Sequence, residues 1–411
     1  MFEHLDIYDR RERLLVGWAD RALSPLRGPL SLVRRRRPGE APRRILLLRL
    51  ERIGDLLMSL GAIRSVRQLA PHAVIDLVVG SWNAALAHTI SGIDRVEVLD
   101  APWLARSGSP QSLGRLAARA WRWRRQHYDL AINFEGDIRS HLLMAGSLAR
   151  RRVGFDMAGG GPTLTDRVAH DAGRHTALNA LALVERAFDL AAGTLAGPLQ
   201  PRGRGLWRLD LPADAKAEAR ARLDRLGIPS GDDRPLVAVH VPGGREIKQW
   251  PPARFAEVAR TIASELDARI LLTGSSSDGA MVSEVAAAIA PAASPFVLDG
   301  DLPLPVVGAV LARCALVVTG DTGPMHLAAA VDAPVVGIFG PSDPARYAPI
   351  GTRTRVVRVD LWCSPCNRIR KPPERCVGHT PDCLEGVTVS QVLAAARDLL
   401  ADSRPAVLGK S

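Results

Sequence analysis

Short apolar runs alternate with amphipathic stretches along this chain, in two separate series. The first series contains RILLLRL (44–50), VIDLVVG (74–80), VEVLD (96–100) and YDLAINF (128–134). The second contains PLVAVHV (235–241), ARILLTG (268–274), PFVLDG (295–300), ALVVTG (315–320) and PVVGIFG (334–340). Runs of this length with few polar interruptions are the mark of strands buried on both faces. Helical stretches between them require parallel pairing with helices on both sides of the sheet.

Between the two series lies a different kind of segment. GPLQPRGRG (197–205) is rich in Pro and Gly, and DAKAEARARLDRLGIPSGDDRP (214–235) reads as a charged helix closed by Gly227 and Pro229. A length of 411 residues favours two domains. The expected organisation is a basic helical extension at 1–42, an α/β domain at 43–195, a linker with a helix at 196–234, a second α/β domain at 235–400 and a tail at 401–411. Two such domains are expected to face a cleft, a preferred place for ligands.

The extension offers two readings. Leu14, Leu15, Trp18, Ala22 and Leu23 fall near a helical period, and RRRRPGEAPRR follows. That pattern suits an interfacial helix with a basic cluster for anionic lipid headgroups, giving peripheral membrane contact. It equally suits a helix packed on the protein's own surface, followed by a solvated linker. Acidic residues near Met1 and the lack of an unbroken apolar core argue against a secretory signal, and no run approaches the roughly 20 apolar residues of a spanning helix. A cytoplasmic protein is expected. The net charge of +11 suits anionic partners, but 4% aromatic residues give little support to stacking on nucleic acid, so no nucleic-acid partner is expected.

Ligands of open parallel sheets bind beyond the carboxyl ends of strands. Four turns there have distinctive chemistry. In RLERIGDLL (49–57), Gly54 allows a tight turn and Asp55 opens the next helix, as a cap or as a general base. In HVPGGREIKQWPP (240–252), small residues including Gly243 expose backbone amides, Lys248 adds charge, and Pro251-Pro252 starts a helix. In LLTGSSSDGAM (271–281), Gly274, Ser275 and the following serines offer donors without the spacing of a P-loop. In GDTGPMHLAAA (320–330), Asp321, Thr322, Gly323 and His326 gather at a strand-to-helix junction.

These pieces resemble, in order, the glycosyltransferase family of the bacterial lipopolysaccharide heptosyltransferases. The matching stretches are RIGDLLMSLGAIRSVRQLAP, INFEGDIRSHLLMAGSLARRRVGF, HTALNALALVERA, HVPGGREIKQWPPARFAEVA, LLTGSSSD and VVTGDTGPMHLAAAVDAPVVGIFGPSDPARYAP, over about residues 44–390. The resemblance implies two Rossmann-like domains of the GT-B fold, the first for a glycan acceptor and the second for a nucleotide-sugar donor. It implies an inverting, metal-independent transferase working at the inner face of the inner membrane, with ADP-heptose as donor and a lipid-linked glycan as acceptor. It places Asp55 on the general base and Lys248 on the residue that neutralises the donor phosphates. Gly243, Gly274, Ser275, Asp321, Thr322, Gly323 and His326 fall at the donor site, and Gly54, Glu135 and Arg139 at the acceptor site. Gly61 stands where many members carry Pro, and Glu135 where Gln is common. A sugar-nucleotide epimerase of the same fold, or a non-catalytic nucleotide-sugar binder, is the alternative.

Four cysteines cluster at Cys363, Cys366, Cys376 and Cys383, while Cys314 is expected inside a strand. Their spacing suits a structural zinc or iron–sulfur site, against four reduced thiols in a surface loop. Asp299-Gly300-Asp301 imitates a metal-binding D-x-D but reads as a turn, so no metal is expected there.

Overall fold

The computed structural model describes residues 2–3, 5–26, 28, 41–104, 111–195, 204–229, 231–290, 293–298, 300–351 and 353–402. The basic cluster that follows the first helix, most of GPLQPRGRG, Asp299 and the end of the tail lie outside these residues. The chain divides near residue 200 into two compact units.

The first unit is built on six parallel strands: β1 (Arg44–Arg49), β2 (Val74–Val79), β3 (Arg95–Val98), β4 (Leu130–Asn133), β5 (Arg151–Phe155) and β6 (Asp166–Val168). Their spatial order is β3-β2-β1-β4-β5-β6. β1 is central, paired with β2 (Leu47 beside Leu77) and with β4 (Leu47 beside Ile132). Ile45 to Leu48 are completely buried, which is why the sequence tolerates no alternation there. The chain direction of the sheet reverses its order between β1 and β4, the switch point at which doubly wound sheets bind ligands.

Helices follow the strands: α1 (Arg10–Leu23), α2 (Ile53–Met58), α3 (Leu60–Leu69), α4 (Ser81–Ala87), α5 (Leu113–Trp123), α6 (Ile138–Gly146) and α7 (Thr176–Ala187). The extension helix α1 is capped by Asp9 and docks on this unit, with Asp20 Oδ1 accepting from Gly160 N–H at 2.6 Å. Its Tyr8, Leu15 and Trp18 neighbourhood nevertheless stays exposed.

The second unit repeats the plan with β7 (Leu236–His240), β8 (Arg269–Thr273), β9 (Phe296–Leu298), β10 (Leu316–Gly320), β11 (Val335–Ile338) and β12 (Thr354–Val357), ordered β12-β11-β10-β7-β8-β9. Its switch point lies between β7 and β10. The charged helix α8 (Ala213–Arg225), expected in a linker, is part of this unit. It buries Ala215, Ala219 and Leu223, and packs on α9 (Leu304–Leu311). Trp250 is buried edge-on against Phe255, with ring centroids 4.8 Å apart, and donates its indole N–H to Val387 C=O.

Cys314 lies in the turn before β10 rather than in the strand. Its thiol reaches Val310 C=O at 3.4 Å, and burial pushes it up to about 12.

Candidate functional site

In the first unit the turn after β1 is held from several directions. Glu135, just beyond β4, is buried, and its Oε1 accepts from Leu50 N–H at 2.7 Å and Glu51 N–H at 3.1 Å. Trp82 and Asn83 donate to Glu51 C=O at 2.7 and 2.9 Å. Gly54 does not form the tight turn expected of it; it is the second residue of α2 and is buried. Asp55 is not the cap but the third helical residue, and its Oδ2 reaches back to accept from Arg52 N–H at 3.1 Å. This back-reaching bond, one half of a capping box, fixes the carboxylate at the opening of the helix.

Arg49 connects these parts, and sequence reasoning overlooked it. The last residue of β1, it is almost fully buried. Its guanidinium donates to Phe134 C=O at 2.8 Å and Asp55 C=O at 3.1 Å. Asp55 Oδ1 lies 3.5 Å from it and Glu135 Oε1 lies 3.8 Å from it. A charged residue closing an otherwise apolar run was the available signal. Burial, then the nearby Glu51 carboxylate, push Glu135 well above the ordinary carboxylate range, while Arg49 opposes them. Glu135, expected at the acceptor site, thus has its Oε1 engaged by the protein's own backbone. Arg139 is the more exposed of the two; its Nε pairs with Asp137 at 3.1 Å and its guanidinium lies 5.3 Å from the Trp103 ring centre.

Behind this turn, His141 is fully buried between Asn133 and Phe155. Its Nε2 faces Phe155 C=O at 2.8 Å, so Nε2 carries the proton and Nδ1 accepts from Asn133 at 2.7 Å. Burial holds its pKa below the usual imidazole value.

In the second unit the loop after β7 and the turn after β10 meet through one ion pair. Lys248 Nζ lies 2.7 Å from Asp321 Oδ2, with both side chains mostly buried. Lys248 ends a short 3-10 turn (Glu246–Lys248), and Asp321 directly follows β10. Gly243 is not an open amide: its N–H is donated to Gln249 Oε1 at 2.7 Å. Its lack of a side chain has another use, since a Cβ there would come within 2.7 Å of Lys248 O. Gln249 also donates to Val241 C=O and Trp250 C=O, so it ties the loop that carries Lys248. No sequence pattern marks it.

Thr322 is the N-cap residue of α10 (Gly323–Ala330), but its side chain does not cap the helix. Its hydroxyl lies 3.2 Å from that of Thr319, and Pro324 occupies the first turn. The positive end of the helix dipole thus opens beside Lys248 and Asp321, an arrangement suited to phosphate oxygens. His326 is buried one turn in. The sequence's third turn behaves differently. Ser275 is engaged by Asp278, and Ser276 donates through both N–H and hydroxyl to Asp301. A Cβ at Gly274 would strike Val282 at 2.8 Å, so this glycine serves close packing. Asp301 is occupied as a turn partner.

Of the four clustered cysteines Cys363, Cys366, Cys376 and Cys383, no group of three or more with His, Asp or Glu is placed to hold a metal ion among the described residues. Cys383 is buried on a short helix (Asp382–Glu385), and burial, with Cys366 and Cys376 nearby, pushes its thiol up to about 11.

The sequence model described as glycosyltransferase family 9 (heptosyltransferase) matches residues 118–376. The chain belongs to glycosyltransferase family 9. It is 26% identical over 314 residues to lipopolysaccharide heptosyltransferase 2 of Salmonella typhimurium, covering 75% of this chain and 85% of that one. Its fold matches the structure of E. coli ADP-heptose lps heptosyltransferase II with a TM-score of 0.69 at 22% identity, over 87% of this chain and 99% of the other. It also matches a family 9 glycosyltransferase from Veillonella parvula, with a TM-score of 0.72 at 24% identity over 88% and 98%. These likenesses confirm the α/β, GT-B-type architecture. As a family 9 glycosyltransferase, the chain carries the ion pair and the pinned carboxylate at the carboxyl ends of its two central strands.

Proposed function

We propose that this glycosyltransferase moves heptose from ADP-heptose to a lipopolysaccharide-type, lipid-linked acceptor with inversion at the anomeric carbon, at the cytoplasmic face of the inner membrane. The observation that carries the donor half is Lys248 against Asp321 at the opening of α10. Lys248 has further N–H donors for a diphosphate beyond the one aimed at Asp321. Charge that builds on the leaving phosphate oxygen is stabilised by that ammonium and by the helix N-terminus. Thr322, Gly323 and His326 complete the donor side.

Asp55 is the general base in this reading. An acceptor hydroxyl attacks the anomeric carbon as the bond to the ADP phosphate breaks, and Asp55 takes the hydroxyl proton. One displacement inverts the centre. Arg49 and the Arg52 N–H hold the carboxylate in place, so little reorganisation is needed at the moment of reaction. Arg139 is the acceptor-side cation.

The test is calorimetry with ADP, GDP and UDP on wild type and Lys248→Ala, followed by transfer from ADP-heptose to a heptose-deficient lipopolysaccharide. Preference for ADP, weakened in the variant, with transfer abolished in Asp55→Asn, is the expected result. Binding of no nucleotide by the folded protein refutes the reading. Epimerised nucleotide-sugar without an acceptor would point to the epimerase instead.

A further inference from the structure

Helix α5 joins an exposed apolar row to arginines with no acidic residue among them. Leu116, Ala120 and Trp123 bury its inner side, and Trp123 donates to Glu97 at 3.0 Å. Leu113, Ala117 and Trp121 follow one another at intervals of four on the outside, with Leu113 70% and Trp121 61% exposed. From Gln111 to Gln126 there are five arginines, Arg115, Arg119, Arg122, Arg124 and Arg125, and no Asp or Glu. Among the described residues, only Arg119 of these is drawn to a carboxylate, Glu97 at 3.1 Å. Arg124 stacks on the Trp121 ring at 3.5 Å and donates to Gly146 C=O. Among the described residues, no carboxylate pairs with Arg115, Arg122 or Arg125. The helix packs on α6, where Ala120 meets Gly146, and α6 and its end add exposed Leu142 and Leu148.

We propose that this α5 face is a docking surface for an anionic phospholipid bilayer. An exposed apolar row ending in Trp, bordered by unpaired arginines, matches the boundary between acyl chains and charged headgroups. Trp121 sits with its ring in the headgroup layer and its neighbours Leu113 and Ala117 bury apolar area, while Arg115 and Arg122 contact lipid phosphates. Nucleic acid would satisfy the arginines but would leave the Leu113–Trp121 row in water. No helix among the described residues is long and apolar enough to cross a membrane, so such a face gives a reversible contact. The surface is distinct from the extension helix α1, whose arginines are interspersed with Asp9, Glu12 and Asp20. The inference adds a membrane-facing element to the proposed use of a lipid-linked acceptor, but it is read without donor or acceptor.

The experiment is co-sedimentation of the full chain with phosphatidylcholine vesicles, with and without phosphatidylglycerol. Wild type is expected to bind only the anionic vesicles. Arg115→Gln/Arg122→Gln is expected to weaken that binding at least about tenfold, and Trp121→Ala about fivefold. Leu15→Ser/Trp18→Ser on α1 is expected to bind as wild type, and inorganic phosphate at matched ionic strength is expected not to compete. Circular dichroism melts on each variant report folding, and separate ADP calorimetry keeps this surface apart from the donor reading. Undiminished binding by the α5 variants, loss confined to the α1 variant, or arginine-dependent binding of a DNA duplex without vesicle binding overturns the proposal.

Discussion

Lys248 and Asp321 form a mostly buried ion pair, 2.7 Å from nitrogen to oxygen, between the loop after β7 and the turn after β10. Each side chain neutralises the other, and in the proposed reading the pair also meets the donor at the opening of α10. Lys248→Met is expected to destabilise the protein by about 2–3 kcal/mol, because it leaves Asp321 without its counter-charge. Asp321→Asn in the same chain should recover most of that loss. ADP affinity should fall about 10- to 100-fold in both, since a charge-assisted contact to phosphate is gone. Urea melts and calorimetry on the two single variants and the double variant check both halves.

Asp55 is held by Arg49 and by the Arg52 N–H, so replacing its carboxylate should leave its position nearly unchanged. Asp55→Asn is expected to lower kcat by roughly 10²–10⁴-fold while ADP affinity stays within about twofold. Parallel loss of nucleotide binding would instead assign Asp55 a structural role. Steady-state transfer assays beside calorimetry measure the difference.

Gly243 links the loop geometry to the position of Lys248, the residue proposed to hold the donor phosphates. A methyl there meets Lys248 O at 2.7 Å, Lys248 C at 2.8 Å and Gln249 Cα at 2.9 Å, all backbone. None of these is the far end of a flexible side chain, so the loop must move. Gly243→Ala is expected to cost about 1–3 kcal/mol and to weaken ADP binding by displacing Lys248. Thermal melts with and without ADP read both effects.

The two sheets were legible because their central strands are unbroken apolar runs; Ile45–Leu48 and Leu316–Val318 announce burial on both faces. The strands β5, β6 and β12 escaped the sequence reading. RRVGF, DRV and TRVV are short and carry Arg or Asp, and β6 and β12 lie at sheet edges where one side is open. Lys248 and Asp321 were each visible as ligand-side residues, but no local spacing can show that residues so far apart in sequence pair. Glu135 shows the opposite difficulty. The family resemblance placed it at the acceptor site, and no local pattern shows that the fold turns its Oε1 onto the Leu50 and Glu51 amides.

His240 should make the second unit sensitive to mild acid. Burial lowers its pKa to about 4, and Nδ1 faces Thr273 Oγ1 at 3.0 Å. The unfolded chain takes up a proton near 6.5 while the folded chain resists until about 4. Stability is therefore lost as pH falls through this window. His240→Gln is expected to flatten that slope in urea melts; an unchanged slope would assign the sensitivity to other groups, His141 first among them.

Glu135 should act at the other end of the scale. It is held above its ordinary pKa, first by burial and then by Glu51, despite Arg49. The unfolded side chain ionises near 4.5, whereas the folded one keeps its proton to higher pH. Its contribution is consequently full below the unfolded value and is lost as pH rises through the folded value. Gln at this position retains a carbonyl oxygen for the Leu50 and Glu51 N–H groups but has no proton to lose. The stability of Glu135→Gln relative to wild type should therefore increase from about pH 4 toward neutrality, measured by urea melts at fixed ionic strength. Transfer activity should remain within about tenfold of wild type, because the oxygen that fixes the β1 turn is still present and Arg49 still faces Asp55. A pH-independent difference would mean that Glu135 is ionised in both states, with Arg49 outweighing burial; complete loss of transfer would place its charge in the chemistry itself.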